Sequence, residues 1–134
     1  MKIDAVVFDL DGTLADTLPL TIYALKEAAY ELSGILYSDE ELIKEFGPTD
    51  TEIIKKLVNF KFNDTASDIY VKHFETNFAA YIKPIEGIDK LLGFIKNKGI
   101  KLGLFTGRSR RVTEIILQKL GFSDLFDVLI TGDE

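Results

Sequence analysis

The sequence contains no cysteine, which excludes a disulfide framework, a thiolate metal site and a cysteine nucleophile. It also lacks an apolar run of the ~18 residues that a membrane-spanning helix needs, so we expect no membrane partner. Basic residues are outnumbered, 16 against 22 acidic ones, for a net charge of −6. This balance argues against a nucleic acid partner, which requires a basic surface. The first residues, Met1–Asp4, lack the features of a secretory signal, so we predict a cytoplasmic protein.

The 134 residues have the composition of an ordinary folded domain, with 46% hydrophobic and 28% charged residues. A short apolar run, Ala5–Phe8, ends in Asp9-Leu10-Asp11-Gly12. Such a run is typical of a strand buried on both faces of a parallel sheet.

The segment from Leu18 to Ile82 has helical spacing, and we predict four helices in it. The S-x-x-E pattern at Ser38 and the T-x-x-E pattern at Thr49 predict two capping boxes. The last helix is predicted from near Thr65 to Tyr81, with Ile69, Phe74, Phe78 and Tyr81 directed inward. His73, the only histidine, is predicted to have a surface or packing role in this segment rather than to catalyse. The aromatic side chains of the segment are predicted to be mostly buried: Tyr23, Tyr30, Phe46, Phe60, Phe74 and Phe78.

The remainder of the chain alternates between helix and strand. After a return at Pro84–Gly87, the pattern predicts a helix, a strand over Ile100–Phe105, a second helix closed by Gly121, and a strand over Phe126–Ile130. Alternation of this kind implies parallel strands joined by right-handed crossovers.

Polar residues follow all three predicted strands: Asp9 and Asp11, then Thr106-Gly107, then Thr131-Gly132-Asp133. Ligands of open parallel sheets bind beyond the carboxyl ends of the strands, so this topology predicts one shared site. Two adjacent carboxylates repel each other unless a cation is near, and Mg²⁺ prefers such oxygen ligands.

Two alternatives to a Mg²⁺ site at Asp9 and Asp11 are a simple turn cap and a calcium loop. The second fails, because Leu14 and Leu20 stand where an EF-hand requires glycine and glutamate.

The run Val6-Val7-Phe8-Asp9-Leu10-Asp11-Gly12-Thr13-Leu14 resembles the first signature of haloacid dehalogenase-type phosphatases, and Leu104-Phe105-Thr106-Gly107-Arg108 resembles their second motif. Within the family, the chain is most similar to the phosphoglycolate-phosphatase-like branch. The resemblance implies an α/β fold, with an incomplete Rossmann-like parallel-sheet core of about three strands in residues 1–16 and 83–134. Residues 17–82 would form an inserted α-helical cap.

The resemblance also implies the chemistry of the first motif. Asp9 would be the nucleophile that forms an aspartyl-phosphate, and Asp11 would be the general acid and base. The Asp9 carboxylate and the Asp11 backbone carbonyl would hold Mg²⁺, which offsets repulsion between the phosphate and the carboxylate. Gly12 permits the sharp turn after the strand and is placed among the phosphate-binding residues.

The second motif supplies the other phosphate contacts that the resemblance implies. Thr106 would donate its hydroxyl to a phosphate oxygen, helped by the backbone of Gly107 and by Arg108. Arg110 and Arg111 lie near the start of a helix and are predicted to form a solvated basic edge rather than to bind substrate.

The family has two further motifs, a lysine after the third strand and an acidic pair after a fourth, and the sequence ends at Glu134 before either. Asp133 follows the third strand and does not correspond to that acidic pair. We therefore expect the full-length protein to hydrolyse a small phosphorylated metabolite and the 134-residue form to have little turnover. Without a fourth strand, the edge of Ala5–Phe8 is expected to lack a neighbour and to favour self-association.

Several alternatives stay open. A receiver-like signalling domain also uses strand-end acids and Mg²⁺, but it has no large helical insert after its first strand. A non-catalytic fragment that binds phosphate or a partner is the second, and a phosphomutase or pyrophosphatase of the same superfamily is the third. Substrate identity is left open among phosphoglycolate, sugar phosphates, nucleotides and pyrophosphate, with the loop Phe46–Thr49 as a candidate selector.

Overall fold

The three predicted strands form one parallel sheet in this computed structural model, which describes all residues from 1 to 134. They are β1 (Ala5–Phe8), β2 (Lys101–Phe105) and β3 (Val128–Ile130), in the order β1-β2-β3. Val6 lies opposite Leu102 in the β1–β2 register. The predicted parallel α/β architecture is thus confirmed.

Seven helices complete the fold: α1 (Leu18–Ser33), α2 (Asp39–Ile43), α3 (Asp50–Leu57), α4 (Asn63–Thr76), α5 (Phe78–Tyr81), α6 (Ile88–Asn97) and α7 (Arg110–Leu120). The first five follow one another between β1 and Pro84, and α1, α3 and α4 pack together around a shared apolar core. We call residues 17–82 the helical segment. Helix α6 precedes β2, and α7 connects β2 to β3. None of these helices has the length and apolar character needed to cross a membrane; the cytoplasmic location stays a prediction.

Both predicted capping boxes are present. The Ser38 hydroxyl accepts from the backbone N–H of Glu41 at 3.1 Å, and the Glu41 carboxylate accepts from the Ser38 N–H at 2.8 Å. Thr49 and Glu52 make the same reciprocal pair, at 3.3 and 3.1 Å, at the start of α3. These bonds satisfy backbone donors that would otherwise lack partners in the first turn.

The prediction of four helices with one running from Thr65 to Tyr81 is wrong in one respect: that helix is divided into α4 and α5. Asn77 lies between them with a φ of −100° and a ψ of 5°, outside helical geometry. Its side-chain amide donates to the carbonyl of His73 at 2.9 Å, a local bond that competes with helix continuation. Strand β3 also begins later than predicted, at Val128 rather than Phe126.

The predicted inward face of α4 and α5 is confirmed at Phe74 and Phe78, which are 0% and 5% exposed, but not at Ile69 and Tyr81. Tyr70 and Phe74 are fully buried, whereas Ile69 is only partly buried. Tyr81, predicted to face inward, is 41% exposed and stacks on Tyr23 with 5.1 Å between ring centroids. The tertiary position of α4 between α1 and α3 selects this face, which side-chain spacing alone does not distinguish from its neighbour.

The prediction that the aromatic side chains of the helical segment are mostly buried is also wrong. Tyr30 is 52% exposed, Phe60 is 61% exposed and Phe46 is 38% exposed. Phe60 follows the end of α3 with a positive φ of 58°, so its side chain leaves the helical face on which the prediction placed it.

The two faces of the sheet differ in their coverage. Leu102 and Leu104 are 1% exposed, whereas Val7, Phe105 and Val128 on the opposite face are 67%, 60% and 57% exposed. Strand β1 lies at one edge of the sheet, as predicted, because only β2 pairs with it. Both an apolar face and a strand edge are therefore open to solvent.

The buried side of α1 allows a stability test with a matched control. Leu20 is fully buried, whereas Leu36 is 76% exposed. We expect Leu20→Ala to lower the free energy of unfolding by about 2–5 kcal/mol, because it leaves a cavity in the core. Leu36→Ala should change it by less than about 0.5 kcal/mol. Urea denaturation followed by circular dichroism measures both, and equal losses would contradict this packing.

Candidate active site

The candidate site lies at the carboxyl ends of β1 and β2, where Asp9 and Thr106 directly follow their strands. A tight turn then reverses the chain after β1. Gly12 has a φ of 77°, which few other residues adopt, and its N–H donates to the carbonyl of Ala15 at 2.8 Å. This turn holds Asp11 beside the loop that follows β2.

The Asp11 carboxylate accepts hydrogen bonds from a side chain of the loop that follows β2. One of its oxygens, Oδ1, accepts from Nη2 and Nε of Arg108 at 2.8 and 3.1 Å, and it also accepts from the hydroxyl of Thr17. All three bonds use Oδ1, and Oδ2 has no hydrogen-bond partner in the protein. The carboxylate is therefore held in one orientation with one oxygen free.

Arg108 is the centre of the polar network, although only 8% of it is exposed. Besides Asp11, its guanidinium donates from Nη1 to Asp50 at 3.0 Å and from Nη2 to the Thr21 hydroxyl at 2.9 Å. The hydroxyl of Tyr70 lies 3.5 Å from Nη1, and the guanidinium carbon lies 5.4 Å from the centre of the Phe74 ring. All three nitrogens of the guanidinium thus have partners.

Asp50 is the other half of this network and is 5% exposed. Its Oδ2 accepts from Arg108 and from the Tyr70 hydroxyl, the latter at 2.9 Å. Its Oδ1 accepts from the backbone N–H of Ser109, just before α7, at 3.0 Å. A buried carboxylate is tolerated when it is paired and hydrogen-bonded in this way. Asp50, the first residue of α3, therefore joins the helical segment to the residues after β2.

Burial and charge together set the protonation states in the network. Burial opposes the charge on Arg108, but the carboxylates of Asp50 and Asp11 outweigh it and raise the Arg108 pKa above its ordinary value. Burial, followed by the charge of Asp50, raises the pKa of the Tyr70 hydroxyl well above its ordinary value. At neutral pH, Arg108 is a cation and Tyr70 is a neutral donor.

Asp9 has a more open environment than Asp11. It is exposed, and its Oδ1 accepts from the N–H of Leu10 at 2.7 Å. It borders a cleft that Gly107 and Phe105 also line. Thr106, at the end of β2, is 3% exposed, and its hydroxyl accepts from the backbone N–H of Arg108 at 3.2 Å.

The predicted site residues therefore divide between two adjoining spaces. Asp11, Gly107 and Arg108 line a cavity of about 350 Å³, and Asp9 lies in the neighbouring cleft. Gly107 borders both. Gly12 lines neither of them and acts through the turn that positions Asp11.

The helical segment forms the far wall of the cavity. Its apolar part includes Leu18, Phe46, Pro48 and Ile53. Phe46 and Pro48 belong to the loop that the sequence marked as a candidate for substrate selection, so that loop does reach the cavity.

Sequence reasoning missed Asp50, Tyr70 and Thr21. An acidic residue in the first turn of a helix, such as Asp50 beside the Thr49 cap, is ordinarily explained by the helix dipole alone. Tyr70 and Thr21 lie within helices without a local motif. Their role arises from contact with Arg108, which is distant in the chain, so no local pattern identifies it.

The other residues weighed in the sequence have surface partners. Arg111 pairs with Asp68 at 2.6 Å, and His73 pairs with Glu31 at 2.8 Å on the helical segment. The guanidinium of Arg110 pairs with Glu134.

Asp133 does not join the carboxylates that follow β1. It accepts from the backbone N–H of Arg110 at 2.6 Å and thereby caps the start of α7. No group of three or more acidic, histidine or cysteine side chains is close enough to hold a metal ion. Carboxylate oxygens at the end of β1 fit Mg²⁺ in donor type but supply only part of a coordination shell.

A family profile described as haloacid dehalogenase-like hydrolase matches residues 6–134. The chain belongs to the haloacid dehalogenase-like hydrolases. This confirms the family resemblance, and the solved structures of the family confirm the fold class.

Individual relatives of this chain carry different names. The chain is 30% identical to a phosphoglycolate phosphatase of Aquifex aeolicus, across 96% of this chain and 60% of that protein. It is 28% identical to the pyrophosphatase PpaX of Halalkalibacterium halodurans, across 100% of this chain and 62% of that one. The crystal structure of CbbY from Rhodobacter sphaeroides in complex with phosphate aligns with a TM-score of 0.77 and 27% identity, covering 98% of this chain and 64% of CbbY. The chain thus spans less than two thirds of these relatives.

Asp50 and Asp68 both pair with arginines at or just before the start of α7, but their substitution should affect stability unequally. We expect Asp50→Asn to lower the free energy of unfolding by about 3–5 kcal/mol, because it leaves the buried Arg108 charge incompletely paired. Asp68→Asn removes the partner of Arg111 on the surface and should cost less than about 1 kcal/mol. Urea denaturation of both variants measures the difference. Similar, small losses would show that Arg108 does not depend on Asp50.

Proposed function

We propose that this chain carries the nucleophile and the acid–base residue of a Mg²⁺-dependent phosphatase that acts on a small phosphorylated metabolite. One observation carries the proposal: in a member of this hydrolase family, Asp9 and Asp11 follow β1 beside the Thr106-Gly107 end of β2. The relatives' names, phosphoglycolate phosphatase and pyrophosphatase, agree with this reaction class but leave the substrate open.

Asp9 is suited to the role of nucleophile. The N–H of Leu10 holds one carboxylate oxygen at 2.7 Å, and the second oxygen has no protein partner. In the proposed reaction, that oxygen bonds to phosphorus while the bond from phosphorus to the leaving oxygen breaks. The product is an aspartyl-phosphate, which splits one difficult step into two easier ones.

Asp11 is suited to proton transfer. Arg108 and Thr17 hold its Oδ1, which leaves Oδ2 for the reacting groups. In the first step Asp11 gives its proton to the leaving oxygen. In the second it takes a proton from water, whose oxygen bonds to phosphorus and releases phosphate and the free Asp9 carboxylate.

Thr106 and Gly107 are the proposed phosphate-binding residues, and Arg108 is proposed to support them from beside Asp11. Gly107 borders the cleft of Asp9 and is exposed, so its backbone is accessible to a phosphate oxygen. The Thr106 hydroxyl accepts a hydrogen bond from the backbone N–H of Arg108 and keeps its own proton to donate. Arg108 contributes mainly by orienting Asp11.

The Asp9 carboxylate and the Asp11 backbone carbonyl are also the proposed Mg²⁺ ligands, with water completing the coordination shell. When bound, the ion would neutralise charge between the phosphate and the carboxylates.

We further propose that residues 17–82 act as a cap on a core formed by residues 1–16 and 83–134. The two connections between these parts lie side by side, because Ala15 forms a β-bridge with Pro84 and the N–H of Ile85 donates to the carbonyl of Leu14 at 3.1 Å. Adjacent connections of this kind permit the helical segment to move as a unit.

A second candidate function is non-catalytic binding of phosphate or of a partner. It is favoured by the small number of acidic side chains at the site, since only Asp9 and Asp11 follow β1 and no third carboxylate lies close enough to form a metal cluster with them. For the same reason, we expect weak turnover from the 134-residue chain.

Phosphate release from small phosphomonoesters in the presence of Mg²⁺ tests the proposal. We expect slow turnover that Asp9→Asn reduces to background, because the amide cannot act as the nucleophile. Asp4→Asn, an exposed change just before β1, should leave the rate unchanged. Phosphate binding without turnover would favour the second candidate, and turnover that survives Asp9→Asn would refute the assigned nucleophile.

We also propose that two copies of the chain associate through β1, whose free edge adjoins the exposed apolar face around Val7. Light scattering over a dilution series should show a dimer at high concentration. Val7→Lys should shift the protein to monomer, because it introduces charge on that face. Leu36→Lys, an equally exposed change on the helical segment, should not. A monomer at every concentration would contradict the proposal.

A further inference from the structure

The cavity beside Asp11 contains one basic side chain and two acidic ones. Arg108 is the only cation in its wall, and Asp11 and Asp50 are the two carboxylates. The guanidinium bonds to both of them, at 2.8 and 3.0 Å. With Asp11 protonated for its proposed step, the charges of Arg108 and Asp50 balance, and the wall has no cation without a partner.

The proposed reaction places the leaving group of the substrate in this cavity. Asp11, the proposed donor to the leaving oxygen, is in its wall, while Asp9 lies in the adjoining cleft across Gly107. A phosphoryl group attacked by Asp9 would thus extend its remaining part toward Asp11 and the helical segment. The volume, about 350 Å³, is in the range of small-molecule sites.

Arg108 is poorly placed to bind a second anion. Nε and Nη2 bind Asp11, Nη2 also binds Thr21, and Nη1 binds Asp50. An anion could bind this guanidinium only by displacing a carboxylate from it. Displacing Asp50 would leave a 5% exposed carboxylate without its cation, which is strongly unfavourable.

The rest of the wall suits an uncharged group. Leu18, Phe46 and Ile53 supply apolar surface, and the hydroxyls of Thr17 and Thr21 supply polar atoms that carry no charge. This combination fits the carbon skeleton and hydroxyls of a sugar or a polyol.

We infer that Asp50 is a specificity-determining residue: by occupying Arg108, it restricts the cavity to phosphomonoesters whose leaving group is uncharged, such as sugar or polyol phosphates. Leaving groups with a second anion, such as a carboxylate or another phosphate, are disfavoured because Asp50 repels them and the wall offers no unpaired cation. This inference rests on the proposed function. It separates the chain from relatives whose names specify phosphoglycolate or pyrophosphate.

Calorimetric titration with two matched esters tests the inference in the presence of Mg²⁺. Glycerol 3-phosphate and 3-phosphoglycerate have the same length and differ in a terminal hydroxymethyl or carboxylate group. We expect the chain to bind glycerol 3-phosphate at least about tenfold more tightly, because the carboxylate of the other ester would lie near Asp50 without an unpaired cation to bind it. Orthophosphate measures binding in the phosphate cleft alone.

Asp50→Asn tests the role of the residue itself. The amide keeps an oxygen acceptor for Arg108 but removes one negative charge, so the preference between the two esters should fall at least about fivefold. Orthophosphate affinity should not change, and Asp68→Asn should retain the wild-type preference. Circular dichroism verifies that Asp50→Asn is folded; if it is not, the preference of the unaltered chain still tests the substrate class.

Each outcome has a distinct meaning. Equal or tighter binding of 3-phosphoglycerate by the unaltered chain would overturn the inference while leaving a phosphate site intact, and so would binding of orthophosphate alone. A preference unchanged in a folded Asp50→Asn variant would overturn the role of Asp50. Failure of orthophosphate and both esters to bind would refute the proposed function and, with it, the inference.

Discussion

The buried guanidinium of Arg108 is the interaction on which the arrangement of this site depends. A cation with 8% exposure requires partners that replace water, and four separate parts of the chain supply them. Asp11 comes from the turn after β1, Thr21 from α1, Asp50 from the start of α3, and Tyr70 from the middle of α4. One side chain thereby connects the proposed acid–base residue to the helical segment that forms the wall of the cavity.

Position relative to solvent gives the arginines of this region different roles. Arg108 and Arg111 are separated by two residues, yet the first is enclosed among carboxylates and the second pairs with Asp68 at the surface. Solvent screens the pair of Arg111 with Asp68, whereas the pair of Arg108 with Asp50 is shielded from solvent. Asp9, in contrast, remains exposed with a free oxygen, as a nucleophile requires. The carboxyl ends of β1 and β2 thus combine the tightly held Arg108 with the accessible Asp9.

Much of the fold could be predicted because its signals are local. The capping boxes at Ser38 and Thr49 each involve residues three positions apart, and the apolar run before Asp9 ends in a recognisable turn. The division of the helix at Asn77 could not be predicted, because it depends on which of two weakly different local bonds prevails. The burial of Phe74 was predicted, but the full burial of Tyr70 in place of Ile69 was not, since neighbouring helices and not spacing alone select the inward face of α4.

By itself, the sequence determined the order of strands and helices, the family, and the carboxylates and threonine at the strand ends. These properties reside in short runs of residues, where backbone preference and side-chain pattern coincide. Only the tertiary structure decided that Arg108 orients Asp11 and is neutralised by Asp50, and that Phe46 lines the cavity. The physical reason is that a buried charge takes its partners from whatever elements the packing brings near it. Those partners are distant in the chain, and no local pattern records them.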